Sequence, residues 1–406
     1  MVEPRAPVSP GRRAAFEVVL RVFEQGAYTD RALRGAAAGL ERRDRALAQR
    51  LAYGTIQRMR TLDYALEELG RRPVRKLDPP VRAALRLGGY ELAFLETPRH
   101  AVVNEAVELV RTSGLERAVS FTNAVLRRLA EGIGALLAAL PEGALKHSYP
   151  DWIERVWTRD LGREAALALM RAQNEPAETV VRLVRGEPPG EPTEIPHAFR
   201  VARVDESALA EGRLWPQSRG SQLAGLCVGS RADERTLDLC AAPGGKATQL
   251  AGAVTAVERH PGRAEELREH CERLGASNVT VVLADALELP DELRDYDRAL
   301  VDAPCSGLGV LASRPDLRWR AKALPELQLA LLRTAVERVR PGGSIVYSVC
   351  TINAEENEAV VDALGLEAES LGAEWPRFAH PHRPEFLLTL PHRDGTSGFF
   401  IARLRT

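Results

Sequence analysis

The chain has 406 residues, of which 45% are apolar and 27% are charged, and its formal net charge is −1. This length exceeds one ordinary hydrophobic core, so we expect two or three domains. The composition is that of a soluble globular protein, and no apolar run approaches the roughly 20 residues of a membrane span. Five cysteines without a C-x-x-C pair or zinc spacing favour free thiols in a reducing cytoplasm.

The charge is distributed unevenly along the chain. Residues 1–140 carry 23 Lys and Arg against 16 Asp and Glu, so the remaining residues must be acidic overall. A basic front half indicates contact with a polyanion such as a nucleic acid. Arginine-rich helix faces in solvent explain the same count equally well, and the charge alone leaves both interpretations open.

The front of the chain, residues 1–140, predicts an all-helical bundle. Apolar residues recur there at spacings of three and four, and Gly or Pro breakers separate the periodic stretches. These stretches are Arg13–Glu24, Leu47–Ile56, Leu62–Leu69, Val81–Leu95, Val102–Val110 and Phe121–Leu129. Residues 141–205 combine a helical stretch, Trp152–Met170, with a β-branched run, Thr179–Leu183, and predict a small connecting domain.

From about residue 206 the pattern changes to strands that alternate with helices. Such alternation predicts parallel strands joined by right-handed crossovers, which form a doubly wound α/β sheet of Rossmann-like type. Ligands bind such sheets at the carboxyl ends of the strands. The predicted strands are Arg235–Leu239, Val254–Glu258, Val279–Ala284, Arg298–Val301 and Ser344–Val349, with helices at Ala247–Ala251 and Arg263–Leu274.

A glycine turn follows the first of these strands. It reads CAAPGGK at 240–246, and its two glycines allow backbone N–H groups to approach a ligand. The turn lacks both the first glycine and the Ser or Thr of a Walker A loop, and it is not a G-x-G-x-x-G fingerprint. A glycine turn without any ligand would explain this segment taken alone.

Acidic residues follow the next three strands, which a plain glycine turn does not explain. Glu258 ends the second strand, where a carboxylate can accept hydrogen bonds from both ribose hydroxyls. Asp285 and Asp302 follow the third and fourth strands. This arrangement suits adenosine with a short charged tail and predicts S-adenosylmethionine. The predicted cofactor-binding residues are Cys240, Ala241, Ala242, Pro243, Gly244, Gly245, Lys246, Glu258, Asp285 and Asp302.

Two more cysteines stand at predicted strand ends, Cys305 in DAPCSG and Cys350 in YSVCT. A thiolate that adds to the 6-carbon of cytosine makes the 5-carbon nucleophilic enough to accept a methyl group. An acid beside the ring stabilises the developing negative charge. The residues therefore predict a cytosine methyltransferase in which either cysteine could be the nucleophile. The ordinary alternative, a buried structural thiol, applies to Cys227 and Cys271.

The chain closely resembles a known family over nearly its full length. In the back half the resemblance to RNA cytosine-5 methyltransferases rests on LDLCAAPGGKATQLA (237–251), DAPCSGLGVLASRPDLRW (302–319), GGSIVYSVCTINAEENEAVV (342–361) and GFFIARL (398–404). In the front half the resemblance to a NusB-like helical domain rests on YGTIQRMRTLDYALEEL (53–69), LRLGGYELAFLETPRHAVVNEAVEL (85–109) and FTNAVLRRL (121–129). Together these motifs resemble the bacterial RsmB (Sun-type) ribosomal RNA enzymes.

The resemblance assigns roles that the residues alone leave open. It implies that Cys350 is the nucleophile, that Cys305 helps to release the methylated product, and that Asp302 borders both the cofactor and the target base. It also implies a cytosine of 16S rRNA as substrate. The nucleophile of the family usually sits in Thr-Cys-Ser, whereas this chain has Val349-Cys350-Thr351. The segment between the glycine turn and Glu258 is short, so we expect a clipped first helix.

These observations combine into one set of expectations. Residues 1–140 form a NusB-like RNA-binding domain, 141–205 a connecting domain that could also bind RNA, and 206–406 the methyltransferase domain. The partner is 16S rRNA, either free or in an assembling small subunit, with no membrane, no metal and a monomeric chain. The alternatives are another RNA substrate, such as transfer RNA or large-subunit rRNA, and a non-catalytic RNA-binding factor. A DNA methyltransferase is less favoured because Cys350 would then have no task.

Overall fold

The structure is a computed structural model that describes residues 8–406, and the chain forms two compact units. The first unit runs to Asn174 and also contains Leu311–Arg320. The second unit comprises Glu175–Val310 and Ala321–Thr406. The predicted segment 141–205 is thus divided between the two units at Asn174, while the division into three domains stays a prediction.

The first unit is built from helices, as the apolar spacings of the front half predict. Its helices up to Asn174 are Pro10–Gln25 (α1), Thr29–Ala36 (α2), Arg42–Gln57 (α3), Met59–Gly70 (α4), Pro79–Phe94 (α5), Arg99–Thr112 (α6), Glu116–Ala138 (α7), Ala144–His147 (α8), Asp151–Leu161 (α9) and Arg163–Ala172 (α10). The core of α1–α7 buries side chains such as Val18, Leu62 and Leu126. The single helix predicted over Trp152–Met170 is two helices, because Gly162 between them adopts a left-handed φ of 82°.

A short piece from the back half of the chain completes the first unit. Arg318 is fully buried there, and its guanidinium carbon lies 3.9 Å from the ring centroid of Tyr149. Burial lowers the pKa of Arg318 to about 10, since no carboxylate of the described residues pairs with it. Its hydrogen bonds go to the carbonyl oxygens of Gln57 (3.2 Å), Ser148 (3.3 Å) and Gln173 (2.8 Å) and to Asn174 Oδ1 (2.8 Å).

The second unit contains two sheets. The smaller sheet is antiparallel in the order β2-β3-β1-β4, and the larger one has the order β10-β12-β9-β8-β5-β6-β7, with β11 paired to β12. The strands are Val180–Leu183 (β1), Glu191–Pro192 (β2), Ala198–Arg200 (β3), Leu214–Pro216 (β4), Arg235–Asp238 (β5), Ala253–Glu258 (β6), Val279–Leu283 (β7), Tyr296–Asp302 (β8), Val339–Val349 (β9), Glu367–Glu369 (β10), Leu387–Thr389 (β11) and Phe399–Arg405 (β12).

The remaining helices of the chain follow in sequence order. They are Glu206–Ala210 (α11), which packs against the smaller sheet, Arg219–Cys227 (α12), Pro261–Leu274 (α13), Leu317–Arg320 (α14, part of the first unit), Pro325–Arg338 (α15), Glu358–Leu364 (α16), Leu371–Glu374 (α17) and Pro391–Asp394 (α18). The helix expected at Ala247–Ala251 is only a 3-10 turn, Ala247–Gln249, because β6 begins at Ala253 and leaves no room for further turns. The expected clipping of this helix is confirmed.

The central strands of the larger sheet run parallel. β5 pairs in parallel with β6 and β8, β6 with β7, and β8 with β9, whereas β12 is antiparallel to β9. The prediction of a mostly parallel, Rossmann-like sheet is confirmed. The strand order reverses direction between β5 and β8, which is where sheets of this type bind ligands. Within residues 8–406 none of the helices has the length and apolar character that a membrane crossing requires.

We predict that Arg318 anchors the segment Leu311–Arg320 in the first unit. Arg318→Met keeps a long apolar stem but leaves the buried carbonyl oxygens without a donor, so the unfolding free energy should fall by roughly 2–4 kcal/mol. Urea denaturation followed by circular dichroism measures this loss. The control is Arg127→Met, because Arg127 is an exposed arginine on α7. An Arg318→Met protein that unfolds at the wild-type midpoint would contradict the anchoring role.

Candidate active site

The parallel register brings the predicted site residues to one edge of the sheet. Asp238 ends β5, Glu258 ends β6 and Asp302 ends β8. Asp302 lies opposite Ser348 in the pairing of β8 with β9, so Cys350 begins the loop beyond the neighbouring strand end. Every one of these chain positions lies at a carboxyl end, the place where doubly wound sheets bind ligands.

The two cysteines of interest face each other. The Sγ atoms of Cys305 and Cys350 are 3.5 Å apart, and both residues are partly exposed. The hydrogen bond with Cys350 is the largest cause that raises the pKa of Cys305 well above that of a free thiol, and burial raises it further. Cys305 therefore stays protonated near neutral pH.

Asp302 is held by two partners beside the thiol pair. Ser348 Oγ donates to Asp302 Oδ1 at 2.6 Å, and Lys246 Nζ lies 2.7 Å from Asp302 Oδ2. Sequence reasoning grouped Lys246 with the cofactor turn, but the structure directs its ammonium group to this carboxylate. Ser348 was not foreseen, although its place opposite Asp302 follows from the pairing of adjacent parallel strands.

A second carboxylate, Asp238, lies behind Asp302. Its side chain is fully buried, and burial together with the negative charge of Asp302 raises the pKa of Asp238 to about 7. Sequence reasoning quoted Asp238 in the glycine-turn motif without assigning it a role. The rule that selected Glu258, Asp285 and Asp302, an acid at a strand end, would also have selected Asp238.

The other three cysteines have environments that suppress their reactivity. Burial raises the pKa of Cys227 to about 12, and burial is also the largest cause of the raised pKa values of Cys240 and Cys271. A thiol of raised pKa is a poor nucleophile, because the thiolate is the reactive form. These surroundings support a packing role for Cys227 and Cys271 and a backbone role for Cys240.

The glycine turn requires both of its glycines. Gly244 adopts a φ of 103°, and a Cβ there would lie 2.5 Å from Leu267 Cδ1. A Cβ on Gly245 would lie 2.7 Å from Trp215 Nε1. Larger residues would force the turn away from the sheet edge, so the two glycines keep its backbone close to the strand ends.

The remaining predicted cofactor residues suit an adenosine group. Glu258 is buried, and its Oε1 accepts a hydrogen bond of 2.8 Å from the backbone N–H of His260. Asp285 is exposed beyond β7, close in sequence to Leu283 and Leu287, which are 49% and 43% exposed. Exposed apolar side chains beside a carboxylate offer an adenine ring both stacking surface and a polar edge. These carboxylates and apolar side chains therefore fit S-adenosylmethionine.

Sequence reasoning missed a buried polar cluster beside the thiols. Glu356, Thr351, Ser306 and Asn353 are all at most 3% exposed, and all four are joined by hydrogen bonds. Two of them directly follow the cysteines in sequence, which was the available signal. The acidic run around Glu356 gives no pattern that marks one of its carboxylates as buried.

Comparison with known proteins matches both halves of the chain. Residues 226–405 match the 16S rRNA methyltransferase RsmB/F family model, and residues 9–131 match that of the NusB family. Ribosomal RNA small subunit methyltransferase B of Thermus thermophilus is 36% identical, over 97% of each chain. The probable enzyme of the same name from Bacillus subtilis is 32% identical, over 97% of this chain and 98% of the relative.

Solved structures agree with the fold. The crystal structure of PH0851 superimposes with a TM-score of 0.82 at 23% identity, covering 99% of this chain and all of that one. NSun6 from Pyrococcus horikoshii, solved with the S-adenosylmethionine analogue SFG, covers 64% of this chain with a TM-score of 0.54. The chain therefore belongs to the RsmB/F family of ribosomal RNA small-subunit methyltransferases, which use S-adenosylmethionine as methyl donor.

Proposed function

We propose that this protein methylates the 5-carbon of a cytosine in 16S rRNA through a covalent bond between Cys350 and the 6-carbon. The observation that carries the proposal is the 3.5 Å contact between the thiols of Cys305 and Cys350 at neighbouring strand ends. A single thiol would serve covalent attack, and a second thiol within contact distance offers a group for the later proton and release steps. The reaction belongs in the cytoplasm, where such thiols stay reduced.

The chemistry needs a covalent intermediate because the 5-carbon of cytosine is a weak nucleophile. The Cys350 thiolate bonds to the 6-carbon, and the displaced π electrons make the 5-carbon attack the methyl group. S-adenosylmethionine supplies that methyl group when bound. A base then removes the proton from the 5-carbon, its electrons re-form the ring double bond, and the carbon–sulfur bond breaks with its electron pair returning to Cys350.

The hydrogen bond between the thiols supports the assignment of Cys350 as nucleophile. The raised pKa of Cys305 keeps its proton in place, so Cys305 can donate an S–H hydrogen bond to a Cys350 thiolate. That donation stabilises the charge required for attack. We assign Cys305 to the release step, in which a protonated thiol stands next to the departing sulfur.

Asp302 is suited to the target ring and the cofactor together. Its carboxylate is fixed from both sides by Lys246 and Ser348, so its position does not depend on the substrate. A fixed carboxylate beside the cytosine can accept a hydrogen bond from the exocyclic amine and hold the ring in register. We propose that the 240–246 turn, Glu258 and Asp285 hold the remainder of S-adenosylmethionine.

A cluster in the first unit supports RNA as the substrate. Tyr28 is 38% exposed, and the guanidinium carbons of Arg31, Arg314 and Arg320 lie 5.5, 5.3 and 4.2 Å from its ring centroid. Among the described residues neither Arg31 nor Arg314 forms an ion pair with a carboxylate. Single-stranded RNA is recognised by aromatic rings that stack on bases and by guanidinium groups that contact phosphates. We propose that this Tyr28 cluster binds the RNA strand.

We predict opposite outcomes for the two catalytic cysteines. Cys305→Ala should accumulate a covalent protein–RNA complex on incubation with S-adenosylmethionine and 16S rRNA, since the carbon–sulfur bond forms but is not released. Cys350→Ala should form no such complex and should show no methyl transfer, while its cofactor dissociation constant stays unchanged. A denaturing gel detects the complex. Cys271→Ala serves as the control that should turn over normally.

Two results would contradict these assignments. Wild-type turnover by Cys350→Ala would show that Cys350 is not the nucleophile. A covalent complex in Cys350→Ala but not in Cys305→Ala would exchange the two roles. The doubly substituted protein, with alanine at both positions, should give no complex, which verifies that the band arises from these thiols alone.

We predict that Arg31→Glu weakens RNA binding through the Tyr28 cluster. Charge reversal should lower the affinity and reduce the slope of log K against log salt by about 1, as the loss of one phosphate contact does. Tyr28→Ala should lower the affinity by roughly 1–3 kcal/mol through lost stacking. Titration of labelled RNA at several salt concentrations measures both. The control is Arg127→Glu, a charge reversal at an exposed position of α7. If the control loses as much RNA affinity as Arg31→Glu does, the Tyr28 cluster is not a specific RNA-binding site.

A further inference from the structure

Glu356 is a buried carboxylate that forms no ion pair within the described residues. Its side chain is fully buried in the turn between β9 and α16. Buried carboxylates are normally paired with a cation or a metal, because removal from water otherwise costs several kcal/mol. Here the carboxylate accepts from hydrogen-bond donors alone. Most of them come from the two segments that carry the catalytic cysteines, and Gln328 Nε2 and the backbone N–H of Leu324, at 3.2 Å, come from the start of α15.

The Cys305 segment and Gln328 of α15 contribute the first set of donors. The backbone N–H of Ser306 donates to Glu356 Oε1 at 2.9 Å, and Ser306 Oγ donates to Glu356 Oε2. Gln328 Nε2 donates both to Glu356 Oε1 at 3.0 Å and to the carbonyl oxygen of Pro304 at 2.9 Å. The residues on either side of Cys305 are therefore both fixed to the glutamate, one directly and one through Gln328.

The Cys350 segment contributes the second set. Thr351 Oγ1 lies 2.7 Å from Ser306 Oγ and 3.5 Å from Glu356 Oε2, so it joins the two cysteine segments beside the carboxylate. Asn353 Nδ2 donates to Glu356 Oε2 at 3.3 Å. Tyr347 of β9 donates through its hydroxyl to the backbone oxygen of Glu356 at 2.6 Å, which ties the turn to the strand that precedes Cys350.

We propose that Glu356 is a positioning residue for the thiol pair: it fixes the segments on which Cys305 and Cys350 lie and thereby sets the distance between their sulfur atoms. The proposal deepens the proposed function and rests on it only for its effect on turnover. The hydroxyls of Ser306 and Thr351 meet at one carboxylate, so a loss of that acceptor frees both segments at once. The separation of the two sulfurs would then be set by the loops alone.

A role in stability alone would make different predictions. A glutamate that only supports the fold would, when replaced, lower stability and affect cofactor affinity and turnover together. Replacement of a positioning residue should lower kcat and change the reactivity of the thiols toward each other. KM for RNA and the cofactor dissociation constant should stay unchanged. Glu356→Gln separates the two, because it retains the shape but replaces one accepting oxygen with an amide donor.

The first experiment measures the thiol distance without RNA or cofactor. An azodicarboxamide oxidant takes one hydrogen from each thiol to form a Cys305–Cys350 disulfide and is itself reduced to the hydrazine. The rate of disulfide formation, followed by peptide mass spectrometry, should fall about tenfold or more in Glu356→Gln, as expected when one hydrogen bond to a charged group is lost. Glu355→Gln, at the exposed neighbouring position, should react like the wild type.

The second experiment measures turnover on 16S rRNA. Glu356→Gln should lower kcat about tenfold while KM for RNA stays at the wild-type value. Wild-type rates of disulfide formation in Glu356→Gln would overturn the proposal. If Glu356→Gln does not fold, Ser306→Ala and Thr351→Val each remove one branch, and wild-type disulfide rates in both would overturn it equally. Rapid disulfide formation in a wild-type protein that methylates no cytosine would contradict the proposed function instead.

Discussion

The parallel pairing of β8 with β9 is the constraint on which the site depends. Because Asp302 lies opposite Ser348 in this pairing, the loops that leave the two strands begin side by side. Each loop carries a cysteine within three residues of its strand end, and the two sulfurs come to 3.5 Å. A slip in register would separate the thiols and would also remove Ser348 from the Asp302 carboxylate.

The site contains several carboxylates, and the negative charge of each is stabilised or reduced by a different physical interaction. Asp302 is paired with the ammonium group of Lys246, and Asp238 behind it has its pKa raised to about 7, which reduces the charge near the sheet centre. Glu356 is held by neutral donors from the cysteine segments and from Gln328 of α15. Negative charge near Cys305 helps to keep that thiol protonated, since Glu356 also contributes to its raised pKa.

Much of this arrangement could be predicted from the sequence, because it follows from short-range patterns. The strands, the glycine turn and the acids at strand ends could be placed from apolar runs and from the rule that ligands bind at carboxyl ends. Helix α2 was missed because its eight residues are too few for a periodic apolar face to stand out. Long-range pairings were also out of reach, including the contact of Lys246 with Asp302.

The packing of Leu311–Arg320 in the first unit is the clearest case of a feature that the sequence does not reveal. The motif around it was identified with the methyltransferase half, yet Arg318 donates to the carbonyl oxygens of Gln57 and Gln173 in the first unit. Which carbonyls accept from a buried arginine depends on tertiary packing. Likewise, only packing distinguishes buried Glu356 from exposed Glu355 within one acidic turn.

Methylation of one cytosine of 16S rRNA at its 5-carbon is the proposed reaction of this protein. The most direct test supplies labelled S-adenosylmethionine with an unmodified 16S transcript, a transfer RNA and duplex DNA, and then identifies the labelled nucleoside after complete digestion. We expect label as 5-methylcytidine in the 16S transcript, at one cytosine. Label on another base, or label only in transfer RNA or DNA, would contradict it.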